Sequence, residues 1–182
     1  MPAPRGRANV AHMIRLAAPI VVAGALALPA TAAAATYDVP EVLGPRLDRV
    51  VERSSVDVLV PDTIRLDFDG AVHAFGGATR DGYTLSLAGD PECGGANACF
   101  LASFGAERGG RPFGHRTVRL ARGIRGRYKR LTCGASCSPP WVSWKQRGVV
   151  YTITAKVGAD SDAARRRALV RAANSAIRRG PR

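Results

Sequence analysis

Apolar and polar positions along the chain alternate with two different periods, and the change of period marks the elements. Over residues 40–54, Val42, Leu43, Leu47, Val50 and Val51 recur at helical spacing and predict one helix. Residues 56–60 form a short apolar run that stops at Pro61. Ile64, Leu66 and Phe68 then alternate with Arg65, Asp67 and Asp69, the pattern of a half-buried strand. Asp69-Gly70 is a turn signal, with residues 71–75 as its return strand. Asp81-Gly82 signals another turn, after which Tyr83, Leu85 and Leu87 alternate with Thr84, Ser86 and Ala88. Residues 99–104 predict a further strand, and residues 106–113, rich in Gly and Arg, a loop.

In residues 117–121, Val118 and Leu120 share one face and Arg119 points the other way. Gly123 breaks the pattern; Ile124 and Tyr128 then share a face, with Arg125, Arg127 and Lys129 opposite. Residues 133–140 read as a loop. The clearest unit is a hairpin of residues 141–146 and 149–156 joined by Arg147-Gly148. A two-residue turn sets Trp144 against Tyr151 and Val142 against Ile153, placing four large side chains on one face. A final helix, capped by Asp160 or Asp162, runs to about Arg178 with Leu169, Ala172, Ala173, Ala176 and Ile177 as its apolar stripe.

The order is helix, six to seven short strands, helix, with neither a repeat nor a strand–helix alternation. It predicts an α+β fold: one twisted, mostly antiparallel sheet with the N- and C-terminal helices packed on one face. The segment WKQRGVVYTIT from Trp144 to Thr154, followed by the helix segment AANSAI from Ala172 to Ile177, resembles the C-terminal unit of small exported bacterial domains of unknown function. Those domains end in a Trp…Gly…Tyr hairpin and a helix closing in an Ala-x-Ser-like sequence. The resemblance implies an α+β fold with no established catalytic residues, and it does not reach the cysteines.

The N-terminus changes the expected location. Arg5, Arg7 and Arg15 precede an apolar stretch over residues 16–28, and an A-x-A site follows. These are the three parts of a secretory signal, with cleavage expected after Ala34. The rival is an uncleaved anchor, for which the stretch is short, since a span needs about 20 apolar residues. Residues 1–34 are therefore expected to be removed and residues 35–182 to form a single domain, secreted or held in the cell envelope. Export favours disulfides for Cys93, Cys99, Cys133 and Cys137, over zinc ligation or reactive thiols. Local pairing, Cys93 with Cys99 and Cys133 with Cys137, is the first choice, and crossed pairing stays open. Short loops closed in this way stabilise little and serve to shape the loops.

Composition narrows the class. Apolar residues make up 46% of the chain and charged residues 23%, which is globular and excludes a collagen, a coiled coil, a multi-span membrane protein and a disulfide-dense miniprotein. The net charge of +13 is unevenly spread. Residues 36–104 hold five basic and eleven acidic side chains, and residues 105–182 hold nineteen basic and three acidic. The candidate polyanion-binding set is Arg119, Arg125, Arg127 and Lys129 on the strands, with Arg165, Arg166, Arg167 and Arg171 on the last helix. Lys145 joins the strand face in the hairpin register above. Arg presents a planar fork that suits phosphate and carboxylate. Outside a cell the fitting partners are anionic lipids, wall polymers and acidic polysaccharides; nucleic acid ranks last, because no nucleic-acid motif is visible. The rival reading is that the charge keeps an exported domain soluble and reflects a composition rich in Arg and poor in Lys.

Signals for catalysis are sparse. His73 and His115 are the histidines after the signal, and no nucleophile turn accompanies them. Asp67 and Asp69 share a strand face, about 7 Å apart by strand geometry, but the D-x-D-G run lacks the closing Glu of a calcium loop. Gly76-Gly77, Gly94-Gly95 and Gly109-Gly110 match no nucleotide fingerprint. No catalytic residue, cofactor or metal is assigned. Trp141, facing away from Trp144, reads either as cover over the second Cys loop or as a ligand platform. The expected function is an exported, non-enzymatic domain that contacts anionic envelope components. The alternatives are an exported hydrolase with a site near Asp67, Asp69, His73 or His115, and a carrier of a small ligand or lipid.

Overall fold

A computed structural model of the chain describes residues 34–182; the expected signal segment reaches the described residues only at its last position, Ala34. In chain order the elements are β1 (Ala35–Asp38), α1 (Val39–Leu43), α2 (Pro45–Arg53), β2 (Thr63–Leu66), β3 (His73–Thr79), β4 (Gly82–Ala88) and β5 (Phe100–Arg108). They continue as β6 (Arg116–Arg119), a 3-10 turn (Ala121–Gly123), β7 (Arg125–Lys129), β8 (Thr132–Cys133), β9 (Cys137–Ser138), β10 (Trp141–Gln146), β11 (Val149–Ala155) and α3 (Asp162–Arg179). Seven strands form one sheet in the order β3-β4-β5-β11-β10-β7-β6, and every neighbouring pair is antiparallel. The α+β expectation holds.

Side chains at paired positions line up in rows across the sheet. One row runs Leu85, Phe104, Ile153, Val142, Tyr128; the next runs Tyr83, Ala106, Tyr151, Trp144, Gly126, Val118. All are buried, so this face is the floor of the core, each large side chain contributing about 1.5–3 kcal/mol by leaving water. Trp144 and Tyr151 stack with centroids 5.5 Å apart, in the register expected from the hairpin. Arg147 and Gly148 both have positive φ, as a two-residue turn matched to strand twist requires. The helix α3 covers the floor with Leu169, Ala172, Ala173, Ala176 and Ile177, all buried, and α2 adds Leu47 and Val50 to the same cluster.

Residues 56–60 have no regular structure, yet Val56, Val58, Leu59 and Val60 are buried. Core tyrosines take up their backbone groups: the Tyr83 hydroxyl accepts from Leu59 N–H and donates to its carbonyl, and Tyr151 donates to the Asp57 carbonyl. Burial raises both phenols, and the nearby Asp57 charge adds to it, taking Tyr151 to about 12.

Several sequence expectations are corrected. The helix over residues 40–54 is two helices, because Pro45 has no N–H to continue α1 and Gly44 takes φ 45 between them. The strand β2 does not turn back at Asp69-Gly70: it pairs with β1, and β3 pairs with β4. The turn before β4 is Arg80–Asp81, one residue early. Gly82 lies inside the sheet, where an added Cβ would fall on the Ala106 carbonyl oxygen. The strand β5 runs on to Arg108, into the expected loop, and residues 133–140 contain part of the small ladder of β8 and β9. Ser161, not a neighbouring Asp, caps α3 through its hydroxyl and Ala164 N–H.

Candidate functional site

The reverse face of the sheet carries the strand half of the basic set. Alternation places Arg125, Arg127 and Lys129 of β7, Trp141, Ser143 and Lys145 of β10, and Arg119 of β6 opposite the core rows. Trp141 pairs with Lys129 and Ser143 with Arg127 across the ladder. Arg119, Arg125, Arg127 and Lys145 are exposed and Lys129 is half-buried. The Lys129 ammonium sits 4.0 Å from the centroid of the Trp141 ring, a cation–π contact.

Residues 109–115 strap across this face. The buried Ser143 hydroxyl donates to the Phe113 carbonyl (2.7 Å) and accepts from Phe113 N–H (2.9 Å), so both backbone groups of Phe113 are fixed. Lys145 Nζ donates to the Gly110 carbonyl and His115 N–H to that of Tyr128. Gly114, at φ 136, lies so close to the Tyr128 backbone that a Cβ would be 2.9 Å from it. The strap presents the Phe113 ring edge-to-face with Trp141, centroids 5.4 Å apart, and leaves it 47% exposed.

The helical half of the basic set lies on the other side of the sheet, since α3 covers the core face. The two halves meet at one place, the edge strand β6. There a groove of about 340 Å³ runs between β6 and α3, floored by Val118 and Val170 and lined by Arg119, Arg166, Arg167 and Arg171. Its lining holds no acidic residue. The four ion pairs among the described residues use Arg116, Arg147, Arg179 and Arg182, none of them in the groove. Arg165 turns elsewhere, into a cleft of about 230 Å³ with Asp67, Lys156, Pro139 and Pro140.

The cysteines pair locally, Cys93 with Cys99 and Cys133 with Cys137, as first expected. The two loops are also clasped: the Asn97 amide donates to the Cys137 carbonyl, and Lys156 Nζ donates to the Asn97 and Ala98 carbonyls. Burial there lowers the Lys156 pKa.

The two histidines considered for catalysis lie far apart. His73 stands on β3 and His115 directly before β6, at opposite edges of the seven-strand sheet. Six inter-strand spacings of about 4.8 Å put them roughly 29 Å apart. The cleft that His115 lines contains Arg116, Tyr128, Arg130 and Thr132 and no carboxylate. Among the described residues, no group of three or more His, Cys, Asp or Glu is placed to hold a metal, and no helix is long and apolar enough to cross a membrane.

Phe113 had no role in the sequence reading. Its signal was an aromatic residue set between Pro112 and Gly114 in an Arg-rich loop, outside any alternation. Trp141 joins it because Ser143, two residues further along β10, holds the strap, a contact between segments 30 residues apart. No family model, curated protein or solved structure matches the chain.

Proposed function

We propose that the protein is an exported, non-enzymatic α+β domain that contacts anionic components of the cell envelope through its basic C-terminal half. The observation that carries this reading is the β6–α3 groove, where four guanidinium groups line a channel without an acidic partner. Like charges held together in this way repel one another, and a phosphate or carboxylate chain relieves that repulsion while engaging Arg in paired hydrogen bonds. The exposed cations of β6, β7 and β10 extend the positive surface around the sheet edge. Two disulfides fit an oxidising compartment, in keeping with the signal expected at the N-terminus.

The test is sedimentation of the oxidised, signal-free protein with isolated envelopes across a salt series. Binding is expected at low salt and should fall steeply as salt rises. Replacing Arg166, Arg167 and Arg171 together by Gln should weaken it tenfold or more, at about 1 kcal/mol per charge near an anionic surface. Replacing Arg125, Arg127 and Lys129 by Gln tests the strand face in the same way. Binding that ignores salt and both triple variants overturns the proposal.

A further inference from the structure

We infer that the strand face around Phe113 and Trp141 is a docking surface for an anionic lipid bilayer, with the two aromatic side chains entering the interfacial layer. The inference rests on the reading above that the partner is anionic, and it narrows that partner to a lipid surface.

Three features of this face converge. First, Phe113 is the large hydrophobic residue found exposed among the described residues. It is not a loose tip, because Ser143 holds its N–H and carbonyl from below. Presenting the ring therefore costs little further conformational entropy on binding. Second, Trp141 stands beside it, half-buried and edge-to-face with Phe113, its indole N–H buried without a hydrogen-bond partner among the described residues. Its ring enlarges the apolar area that Phe113 offers to the boundary between headgroups and acyl chains. Third, cations surround the pair. Lys129 lies over the indole, Arg127 is its neighbour on β7, Lys145 reaches the strap, and Arg111 lies within it. Glu107 on β5, two strands from Lys145, is the acidic side chain in that row.

Charge alone fits any polyanion. The aromatic pair discriminates, because a soluble polymer of phosphate offers nothing apolar for Phe113 to enter. A sugar polymer would need a flat ring face to stack on. Here the rings stand at 66° to each other, and an ammonium group already sits over Trp141. A bilayer supplies both layers in the right order, with anionic headgroups outside and hydrocarbon beneath.

The experiment uses the oxidised, signal-free protein and three probes: vesicles of phosphatidylcholine, vesicles of phosphatidylcholine mixed with phosphatidylglycerol, and inorganic polyphosphate. Trp144 is 1% exposed in the core, so a change in tryptophan emission on binding reports Trp141. The expected result is binding to the mixed vesicles, with a blue shift and with quenching by brominated acyl chains. Phe113→Ala should weaken vesicle binding about tenfold, the loss of one buried aromatic side chain, and leave polyphosphate binding unchanged. The variant keeps the backbone bonds to Ser143, and circular dichroism checks its fold. Three results overturn the lipid surface while leaving the polyanion reading standing. One is vesicle binding without quenching. Another is vesicle binding that Phe113→Ala does not weaken. The last is binding to polyphosphate with none to vesicles. Equal binding to phosphatidylcholine alone overturns the role of the cations. Binding to neither mixed vesicles nor polyphosphate overturns both proposals.

Discussion

At Asp62 one residue ties three segments together. Its carboxylate accepts hydrogen bonds from the Ser175 hydroxyl (2.8 Å) and from Arg182 (2.7 Å), with Arg179 at 4.0 Å. Its N–H donates to Ser175, and its carbonyl accepts from Val39 N–H at the start of α1. Burial pushes the carboxyl pKa up, but the two hydrogen bonds and the Arg182 and Arg179 charges outweigh that and leave it lowered. A carboxylate with a depressed folded-state pKa contributes stability above its unfolded value, about 3.9, and that stability is lost as pH falls through the folded value. Asp62→Asn should therefore flatten the acid limb of the stability curve below about pH 4. At neutral pH the cost should stay within about 1 kcal/mol, because the side chain is 49% exposed and screened by water. Urea unfolding at neutral and acid pH measures both; equal acid limbs in the two proteins would refute the assignment.

At the scale of elements, each disulfide closes a short loop, with sequence separations of 6 and 4. Cys133 and Cys137 are direct cross-strand partners in β8 and β9, and their bridge closes a very short loop. Replacing both by Ser should lower unfolding stability by no more than about 2 kcal/mol on the chain-entropy relation. A larger loss would mean that the clasp from Asn97 transmits strain to the first loop. Elements whose signals are local were legible in the sequence. The hairpin register followed from the length of its turn, the α3 stripe from a single helical period, and the outward face of β7 from alternation. The failures lie where a distant segment decides. Asp69-Gly70 has turn chemistry, yet β2 finds its partner in β1, upstream of α1. Gly82 resembled a turn residue because sequence cannot show that Ala106 presses against it. The same division holds at the site. Each cation was visible singly, while the meeting of Arg119 with Arg166, Arg167 and Arg171 depends on α3 lying beside an edge strand. The role of Phe113 depends on a strap with no period to read.

For the whole molecule, strand order has a consequence in time. The hairpin of β10 and β11, the last strands made, occupies the middle of the sheet, between β5 on one side and β7 on the other. Until it arrives, β3, β4 and β5 form one three-stranded piece and β6 and β7 a separate two-stranded ribbon, with no ladder between them. Two strands alone are marginal in water, and the three-stranded piece still lacks the α3 side chains that cover the core. A chain ending before Trp141 should show no cooperative unfolding transition in urea, whereas the chain ending at Arg182 should unfold in one step; a cooperative transition in the shorter chain would contradict this. Contacts between such distant segments also make folding slow. If the chain crosses a membrane N-terminus first, as the proposed function requires, the sheet cannot close until β11 has cleared the pore. On the export route proposed above, the topology would act as a delay, keeping the chain threadable for as long as threading is needed.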